Sequence, residues 1–282
     1  VKEAANLHKK GWKALVIGND ADNFSVGANI GLALFQANMA MWPVIENGVS
    51  EGQAAYMALK YSPFPVVAAP AGMALGGGCE ICLHADAIQA HAESYMGLVE
   101  VGVGLLPGWG GCKELITRAI SNKRRPGGPM PAVAQVFEAI STAKVSTSAA
   151  EARDLLILRP GDSISMNRKR VLADAKRKAL ELAKDYQPPK PVEISLPGAS
   201  ARAALKMAVE GFVLQGKASA HDQVVSMAVA RVVTGGDKDI TDVVTEKDLL
   251  ALERECLMSL IRTNSTLDRI EHMLTTGKPL RN

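Results

Sequence analysis

A run of three glycines, Gly76-Gly77-Gly78, stands between one apolar segment that predicts a strand and another that predicts a helix. Glycine has no side chain, so such a run lets other atoms approach the backbone closely. At the start of a helix, the free amide groups also carry the positive end of the helix dipole. The run therefore predicts a place where the backbone holds a phosphate, or an oxygen that becomes negative during a reaction.

Short apolar runs alternate with helical patterns in the first half of the chain, which is typical of an α/β architecture. The predicted strands are residues 14–18, 66–69, 88–90 and 95–97. The predicted helices in this half are residues 1–10, 30–45 and 79–85. The region between them that holds the glycines is the densest in chemically useful groups.

From about Leu115 onward the strand signals stop and helical periodicity dominates. The predicted helices are residues 166–185, 201–214, 221–233, 249–261 and 267–274. Thr245-x-x-Asp248 and Ser265-x-x-Asp268 have the spacing of helix caps for the last two. We expect a core over residues 1–160 and a helical region over residues 161–282.

Composition excludes several classes of protein. The chain has 282 residues, 48% of them hydrophobic and 22% charged, with a net charge of +3 and four cysteines. These values exclude a disordered chain, a disulfide scaffold and a strongly basic nucleic-acid binder. The chain starts without a signal-peptide pattern, and polar residues or prolines interrupt its two uncharged stretches, residues 23–45 and 61–79. We expect a cytoplasmic protein with no nucleic-acid or membrane partner.

Other glycine-based sites fail on inspection. Gly102-x-Gly104 is followed by Pro107 where a dinucleotide motif needs its third glycine, and neither a P-loop nor a nucleophile elbow occurs. What remains is a backbone oxyanion hole with two carboxylates nearby, Glu80 and Glu100. Two carboxyl groups around one water can take a proton from it and deliver another to carbon, provided one is protonated. A glutamate in the first turn of a helix is, however, often only a dipole partner.

Other reactive side chains have simpler interpretations. Cys79-x-x-Cys82 lies at helical spacing in an apolar segment, so buried packing is favoured over a redox or zinc site, and we predict no metal. His84 and His91 lack the partner spacing of metal ligands and are predicted to be structural. The basic residues between Arg168 and Lys178 are either a solvated helix face or a contact for coenzyme A phosphates.

The order and spacing of these motifs resemble the crotonase (enoyl-CoA hydratase/isomerase) family over roughly the first half of the chain. The segments concerned are Asn-Phe-Ser-Val-Gly-Ala-Asn at residues 23–29, Ala-Leu-Gly-Gly-Gly-Cys-Glu at residues 74–80, Glu100, and Leu-Pro-Gly-Trp-Gly-Gly at residues 106–111. The resemblance implies a crotonase-type ββα spiral core, which lacks its N-terminal strands and binds acyl-CoA, over residues 1–160. An all-helical C-terminal region follows.

The resemblance also implies how the substrate is held. The backbone N–H groups of Val26 and Gly77 would form the oxyanion hole for the thioester oxygen. Val26, Gly27, Ala28 and Asn29, with Gly77, would line the coenzyme A thioester. The family usually has Asp at the position of Asn29, a change that we expect the site to tolerate.

By the same resemblance, Glu80 positions and deprotonates the water that attacks Cβ, and Glu100 donates a proton to Cα. This implies an enoyl-CoA hydratase, a lyase of fatty-acid β-oxidation that makes 3-hydroxyacyl-CoA from enoyl-CoA. Two alternatives are a Δ3,Δ2-enoyl-CoA isomerase, in which one carboxylate shuttles a proton, and a non-catalytic acyl-CoA-binding module. The presence of both glutamates favours hydration.

Residues 153–168, 235–237 and 276–282 are similar to the C-terminal end of bacterial fatty-acid oxidation proteins. There a 3-hydroxyacyl-CoA dehydrogenase precedes the hydratase on one chain, so a multifunctional parent is implied, and Val1 falling inside a predicted helix fits this. This segment would be the dehydrogenase's partner domain, or a homo-oligomer by itself. We expect no cofactor in the segment: coenzyme A belongs to the substrate, and NAD would bind only to a fused dehydrogenase part.

Overall fold

A computed structural model describes residues 2–122 and 127–282. Its strands are β1 (Leu15–Ile17), β2 (Val66–Ala68), β3 (Met73–Leu75), β4 (Ala87–His91), β5 (Tyr95–Gly97), β6 (Ser163–Ser165), β7 (Glu193–Ile194) and β8 (Val244–Thr245). Its α-helices are α1 (Lys2–Lys9), α2 (Ile30–Asn38), α3 (Trp42–Lys60), α4 (Gly77–His84), α5 (Gly111–Ile120), α6 (Met130–Ser141), α7 (Glu151–Asp154), α8 (Val171–Leu182), α9 (Gly198–Leu214), α10 (Ala220–Val233), α11 (Glu246–Ile261) and α12 (Asn264–Thr276). Two 3-10 helices span Glu100–Val103 and Arg168–Arg170.

The chain forms two compact units, each assembled from separate stretches of sequence. Unit 1 comprises the chain up to Gly27 together with Gly52–Gly97 and Val145–Lys190. Unit 2 comprises Ala28–Glu51, Leu98–Lys144 and Pro191–Asn282. The boundary expected at residue 160 divides the sequence once, whereas in the structure β6 and α8, which follow that residue, belong to unit 1.

A four-stranded parallel sheet in the order β1-β2-β4-β6 forms the centre of unit 1. Its register joins Leu15 to Val66, Val67 to Ala87 and Ala90 to Ile164. The two central strands, β2 and β4, are buried along their whole length, as apolar runs in parallel sheets are. The strands predicted over residues 14–18, 66–69, 88–90 and 95–97 are therefore confirmed as β1, β2, β4 and β5.

Helix α8 packs on this sheet through small side chains. Val171, Ala175 and Ala179 recur at helical spacing and are buried in one cluster with Val67 and Ala69. Alanine at the contact lets the helix backbone approach the strands, and the amphipathic pattern predicted over residues 166–185 is confirmed in its central part.

The second sheet of unit 1 is the parallel pair β3 and β5, whose register joins Met73 to Tyr95 and Leu75 to Gly97. On the other edge of β3, Ser25 forms an isolated parallel bridge with Ala74. Strand β3 thus has partners on both edges immediately before the chain turns into α4. This arrangement positions the glycine run.

Unit 2 is built mainly of helices, with α10 in contact with α5, α6, α9 and α11. Val225, Val229, Val232 and Val233 bury one side of α10. The helical C-terminal region is confirmed, and β7 and β8 add a two-residue antiparallel ladder to it. Within the described residues, no helix is both long and apolar enough to cross a membrane.

The helix predicted over residues 30–45 is two helices, so that prediction is wrong in its length. The first ends at Asn38, and Ala40 has a φ of 52°, in the left-handed region. Pro43 explains the break, because proline inside a helix removes a hydrogen bond and clashes with the preceding turn. In the structure Pro43 lies in the first turn of α3, where proline is tolerated.

Two further details differ from the sequence pattern. The capping box of Thr245 with Asp248 is confirmed at the start of α11, but the cap predicted at Ser265 is wrong, because Thr263 caps α12. Strand β6, which lies beyond the point where strand signals stop, has the largely polar sequence Ser-Ile-Ser. Its pairing with β4 is supported by a buried bond in which the Gln89 side chain donates to Ser165 Oγ at 2.8 Å.

The α11 cap generates a stability prediction. The Thr245 hydroxyl accepts a bond from the amide of Asp248, and Asp248 Oδ2 accepts bonds from the amide of Thr245 and from Lys238 Nζ. Thr245→Ala should lower the free energy of unfolding by about 1 kcal/mol in urea titrations. Thr275→Ala, at an exposed site within α12, should not lower it, because alanine favours the helix. An equal loss in both variants would contradict the capping role.

Candidate active site

The glycine run stands where β3 turns into α4. Gly76 has a φ of 54° and lies just before the helix, with its amide donating to the carbonyl of Gly97 at 2.9 Å. Its own carbonyl accepts the first helical bond, from the amide of Glu80 at 2.9 Å. The Gly77 amide is therefore the first of the helix, at the positive end of the helix dipole.

Residues 25–27 lie directly against this helix start. The amide of Ser25 donates to Met73 and the amide of Leu75 donates to Ser25, at 3.0 and 2.9 Å. A Cβ built on Gly78 would lie 2.6 Å from Ser25 Cβ, so no larger residue fits at Gly78 without displacing the chain. A Cβ built on Gly27 would lie 3.6 Å from the amide nitrogen of Gly77.

The structure therefore brings together Val26, Gly27 and Gly77, three of the residues predicted to bind substrate, within unit 1. In the part of the chain that the structure describes, the amides of Val26 and Gly77 donate to no protein acceptor. The carbonyl of Gly77 accepts a bond from the hydroxyl of Tyr56 at 3.0 Å, which anchors this peptide. Two neighbouring free amides are what an oxyanion hole requires.

Glu80 lies in the first turn of α4, one turn from Gly77. Its side chain belongs to the buried interior, with 1% of the residue exposed. Its carbonyl oxygen is 2.7 Å from His84 Nδ1, and since a carbonyl only accepts, that nitrogen carries a proton. The His84 ring also contacts the ring of Tyr56 at 5.4 Å between centroids. His84 thus supports the turn that carries Glu80, which agrees with a structural role.

Glu100 is the first residue of the 3-10 helix Glu100–Val103 in unit 2. Its carbonyl accepts a bond from the amide of Leu105 at 3.1 Å, and the turn ends at Gly104, whose φ is 78°. Because Glu80 belongs to unit 1 and Glu100 to unit 2, the meeting of these two carboxyl groups at one water stays a prediction.

Asn29 and Ala28 belong to unit 2, where they precede α2. The side chain of Asn29 caps this helix, since Asn29 Oδ1 accepts a bond from the amide of Leu32 at 3.2 Å. Aspartate and asparagine cap helices about equally well, which gives a physical reason for asparagine to replace the usual aspartate here.

The remaining reactive side chains have structural surroundings. Cys79 and Cys82 are thiols whose side chains are completely buried, as predicted for packing residues. Among the residues described, no three His, Cys, Asp or Glu side chains group in a way that could hold a metal. On α8, Arg170 and Arg177 pair with Asp174 at 3.7 and 3.2 Å, as on a solvated helix face.

A buried carboxylate that sequence reasoning missed supports the glycine-rich loop at residues 106–111. Glu253 on α11 is completely buried and accepts bonds from the amides of Gly110 and Lys113, both at 2.7 Å, at the start of α5. Lys113 Nζ in turn pairs with Glu246 at 3.1 Å. Acidic residues a hundred positions away carry no sequence signal for this contact, because the pairing depends on how the helices pack.

Comparison with known proteins agrees with this geometry. Residues 7–125 match the family model described as enoyl-CoA hydratase/isomerase. A Bacillus subtilis protein named "Probable 3-hydroxyacyl-CoA dehydrogenase" is 44% identical over 275 residues, or 97% of this chain and 34% of that protein. A Rickettsia felis protein named for the trifunctional enzyme of a fatty acid oxidation complex is 30% identical, over 96% of this chain and 34% of that protein. The chain thus spans about a third of the length of these relatives.

A crystal structure of an enoyl-CoA hydratase from Bacillus halodurans has the same fold. It is 17% identical, with a TM-score of 0.61, over 95% of this chain and 86% of that chain. The predicted fold class, an α/β crotonase-type core with a helical C-terminal region, is therefore confirmed. The match of the family model assigns residues 7–125 of this chain to the enoyl-CoA hydratase/isomerase, or crotonase, family.

Proposed function

We propose that this chain is an enoyl-CoA hydratase of fatty-acid β-oxidation, which adds water across the 2,3 double bond of an enoyl-CoA thioester. The observation that carries the proposal is the packing of residues 25–27 against the start of α4, with free amides at Val26 and Gly77. A thioester oxygen that becomes an enolate needs two such donors, held in place before the reaction begins.

The proposed reaction starts with Glu80 taking a proton from water as the water oxygen bonds to Cβ of the substrate. The electron pair of the double bond shifts toward the thioester, and its carbonyl oxygen becomes an enolate oxygen. The amides of Val26 and Gly77 donate to that oxygen. Collapse of the enolate takes a proton from Glu100 onto Cα, so Glu100 must be protonated when substrate binds.

The burial of Glu80 supports its role as the base. Bulk water is excluded from a carboxylate in the protein interior. The proton that Glu80 takes would therefore come from a water bound beside the substrate. Val26, Gly27, Ala28 and Asn29 would line the thioester part of coenzyme A, with Gly77. The side chain of Val26 supports this, since the residue is 61% exposed beside its free amide. The reaction needs no further cofactor, because coenzyme A arrives as part of the substrate.

The names of the relatives, and their threefold greater length, support a further part of the proposal. We propose that this hydratase acts within a longer multifunctional chain in the cytoplasm, where an NAD-dependent 3-hydroxyacyl-CoA dehydrogenase oxidises the hydrated product. NAD would bind to that dehydrogenase part.

The second candidate is a Δ3,Δ2-enoyl-CoA isomerase, which would use the same oxyanion hole and move one proton between Cα and the γ-carbon. The family description names both activities. Hydration is favoured because a buried glutamate one turn from Gly77 supplies a base for water that an isomerase does not need.

Turnover of crotonyl-CoA is the first test. The longer parent protein and this chain should both remove the absorbance of the conjugated enoyl thioester, with 3-hydroxybutyryl-CoA as the product by mass spectrometry. An isomerase would instead convert a 3-enoyl-CoA into the conjugated 2-enoyl-CoA. The absorbance would then rise with that substrate, and crotonyl-CoA would stay unchanged. Binding of both thioesters without any turnover would indicate a binding module.

The two carboxyl groups are tested by Glu80→Gln and Glu100→Gln. Each should lower kcat for hydration by about 100- to 10,000-fold, because each removes one proton transfer. The Kd for unreactive butyryl-CoA should change by less than about threefold, because the amides still hold the thioester. Glu51→Gln, at an exposed position of α3, is the matched control and should keep full activity. Full activity in both Glu80→Gln and Glu100→Gln would exclude this mechanism.

The oxyanion hole is tested by adding one methyl group at Gly78. In Gly78→Ala the new Cβ would meet Ser25 Cβ at 2.6 Å and the Ser25 carbonyl at 2.7 Å, so residues 25–27 must move away from α4. We expect kcat to fall at least about tenfold, with a stability loss of about 1–3 kcal/mol. Gly48→Ala, where an added Cβ has no neighbour within 4 Å, should keep its activity and melt at an equal or higher temperature. Unchanged hydration by Gly78→Ala would argue against this oxyanion hole.

A further inference from the structure

The turn that carries Glu100 is too short to be stable alone. It is a single 3-10 turn, Glu100–Val103. Two backbone hydrogen bonds close it: the amide of Gly104 donates to the carbonyl of Val101, and the amide of Leu105 donates to the carbonyl of Glu100, both at 3.1 Å. So few hydrogen bonds do not offset the entropy of ordering the backbone. Other parts of unit 2 must therefore determine where this turn lies.

Helix α12 makes that contact through Thr266. The completely buried Thr266 Oγ1 donates to the carbonyl of Gly104 at 2.9 Å. A Cβ built on Gly104 would lie 2.9 Å from Thr266 Oγ1 and 3.1 Å from Thr266 Cα, so the helix backbone and the turn are packed without space for a side chain. The end of the turn is thus held both by a hydrogen bond and by close packing of Gly104 against Thr266.

A second buried side chain orients the Thr266 hydroxyl. A hydroxyl has one proton, and because that proton goes to the Gly104 carbonyl, the oxygen acts as acceptor for its other neighbours. His221 Nε2 lies 2.8 Å from Thr266 Oγ1 and must therefore be the donor. Burial and the nearby charge of Arg269 lower the pKa of His221, whereas Asp222 raises it, and the net shift favours the neutral ring.

Arg269 fixes the relative positions of α10 and α12 behind this pair. It is 2% exposed and bonds to Asp222 Oδ1 at 2.8 Å and to Ser219 Oγ at 3.0 Å. Ser219 and Asp222 are also the capping box of α10, next to His221. The start of α10 is therefore tied to α12 in a fixed geometry, and His221 meets Thr266 because of it.

We propose that Thr266, oriented by His221, is a positioning residue for Glu100 in the hydration reaction. By holding the Gly104 carbonyl, Thr266 determines where the Glu100 turn lies, and hence where the Glu100 carboxyl group meets Cα of the substrate. This inference rests on the proposed function. It assigns to the helical C-terminal region a part in the chemistry in addition to packing.

The test compares Thr266→Val, which removes the hydroxyl at nearly constant shape, with Thr266→Ser, which keeps it. At a temperature well below melting, Thr266→Val should lower kcat for crotonyl-CoA about 10- to 100-fold, because a misplacement of the order of 1 Å has such an effect. KM and the Kd for butyryl-CoA should change less than about twofold, because the oxyanion hole lies elsewhere. Thr266→Ser should restore kcat to within about threefold of the wild type, since it can make both hydrogen bonds.

A double-mutant cycle separates positioning from general loosening of the helix. In a Glu100→Gln background, Thr266→Val should lower kcat less than about twofold, because the group that it positions is already lost. Ile270→Val is the matched control: Ile270 is a buried apolar residue on α12, and the variant should lose about 0.5–1.5 kcal/mol of stability but keep its kcat. If Thr266→Val does not fold, Thr266→Ala, which removes the hydroxyl without placing a methyl group beside the Gly104 carbonyl, should show the same loss of kcat.

Each outcome has a distinct meaning. A fully active Thr266→Val or Thr266→Ala overturns this inference alone, and so does an equal loss of kcat in Ile270→Val. Additive losses in the Glu100→Gln background would show that Thr266 does not act through Glu100. A wild-type protein without hydratase activity overturns the proposed function, and the positioning role with it.

Discussion

The bridge between Ser25 and Ala74 is the contact on which the rest of the candidate site depends. It adds residues 25–27 to the edge of β3 and so carries Val26 to the start of α4. Gly78 makes this approach possible, because any Cβ there would occupy the space of Ser25. This backbone pairing thus places Val26 beside the start of α4, where the free amide of Gly77 lies and where Glu80 follows one turn later.

The same physical requirement recurs in unit 2, where side chains of the C-terminal helices satisfy backbone groups at the ends of short elements. Glu253 accepts the amides at the start of α5, and Thr266 donates to the carbonyl at the end of the Glu100 turn. Buried backbone groups without partners are costly, so these contacts also restrict where the short elements can lie. The helical region therefore supports the loops that the family resemblance links to catalysis.

Much of the fold could be predicted from local pattern. Short, mainly apolar runs identified β1, β2, β4 and β5, and β2, which is buried on both faces, is apolar throughout. The sequence-based predictions are wrong where tertiary contacts outweigh the local structural preference of the residues. Strand β6 is mostly polar and exists because β4 offers it a partner, and the cap of α12 falls on Thr263 rather than Ser265. The broken helix before α3 was predictable in principle, since Pro43 fits only the first turn of a helix.

The sequence by itself determined the chemical groups: three glycines at a helix start, Glu80 one turn later, Glu100 in a second glycine-rich segment, and the family that carries them in this order. The residue types and their spacing along the chain suffice to identify these groups, because strand and helix formation depend largely on neighbouring residues. Only the tertiary structure decided that Ser25 lies against Gly78, that Tyr56 anchors the Gly77 peptide and that Thr266 and His221 hold the Glu100 turn. These contacts join residues far apart in the chain, and their geometry follows from how helices and strands pack, which local sequence does not encode.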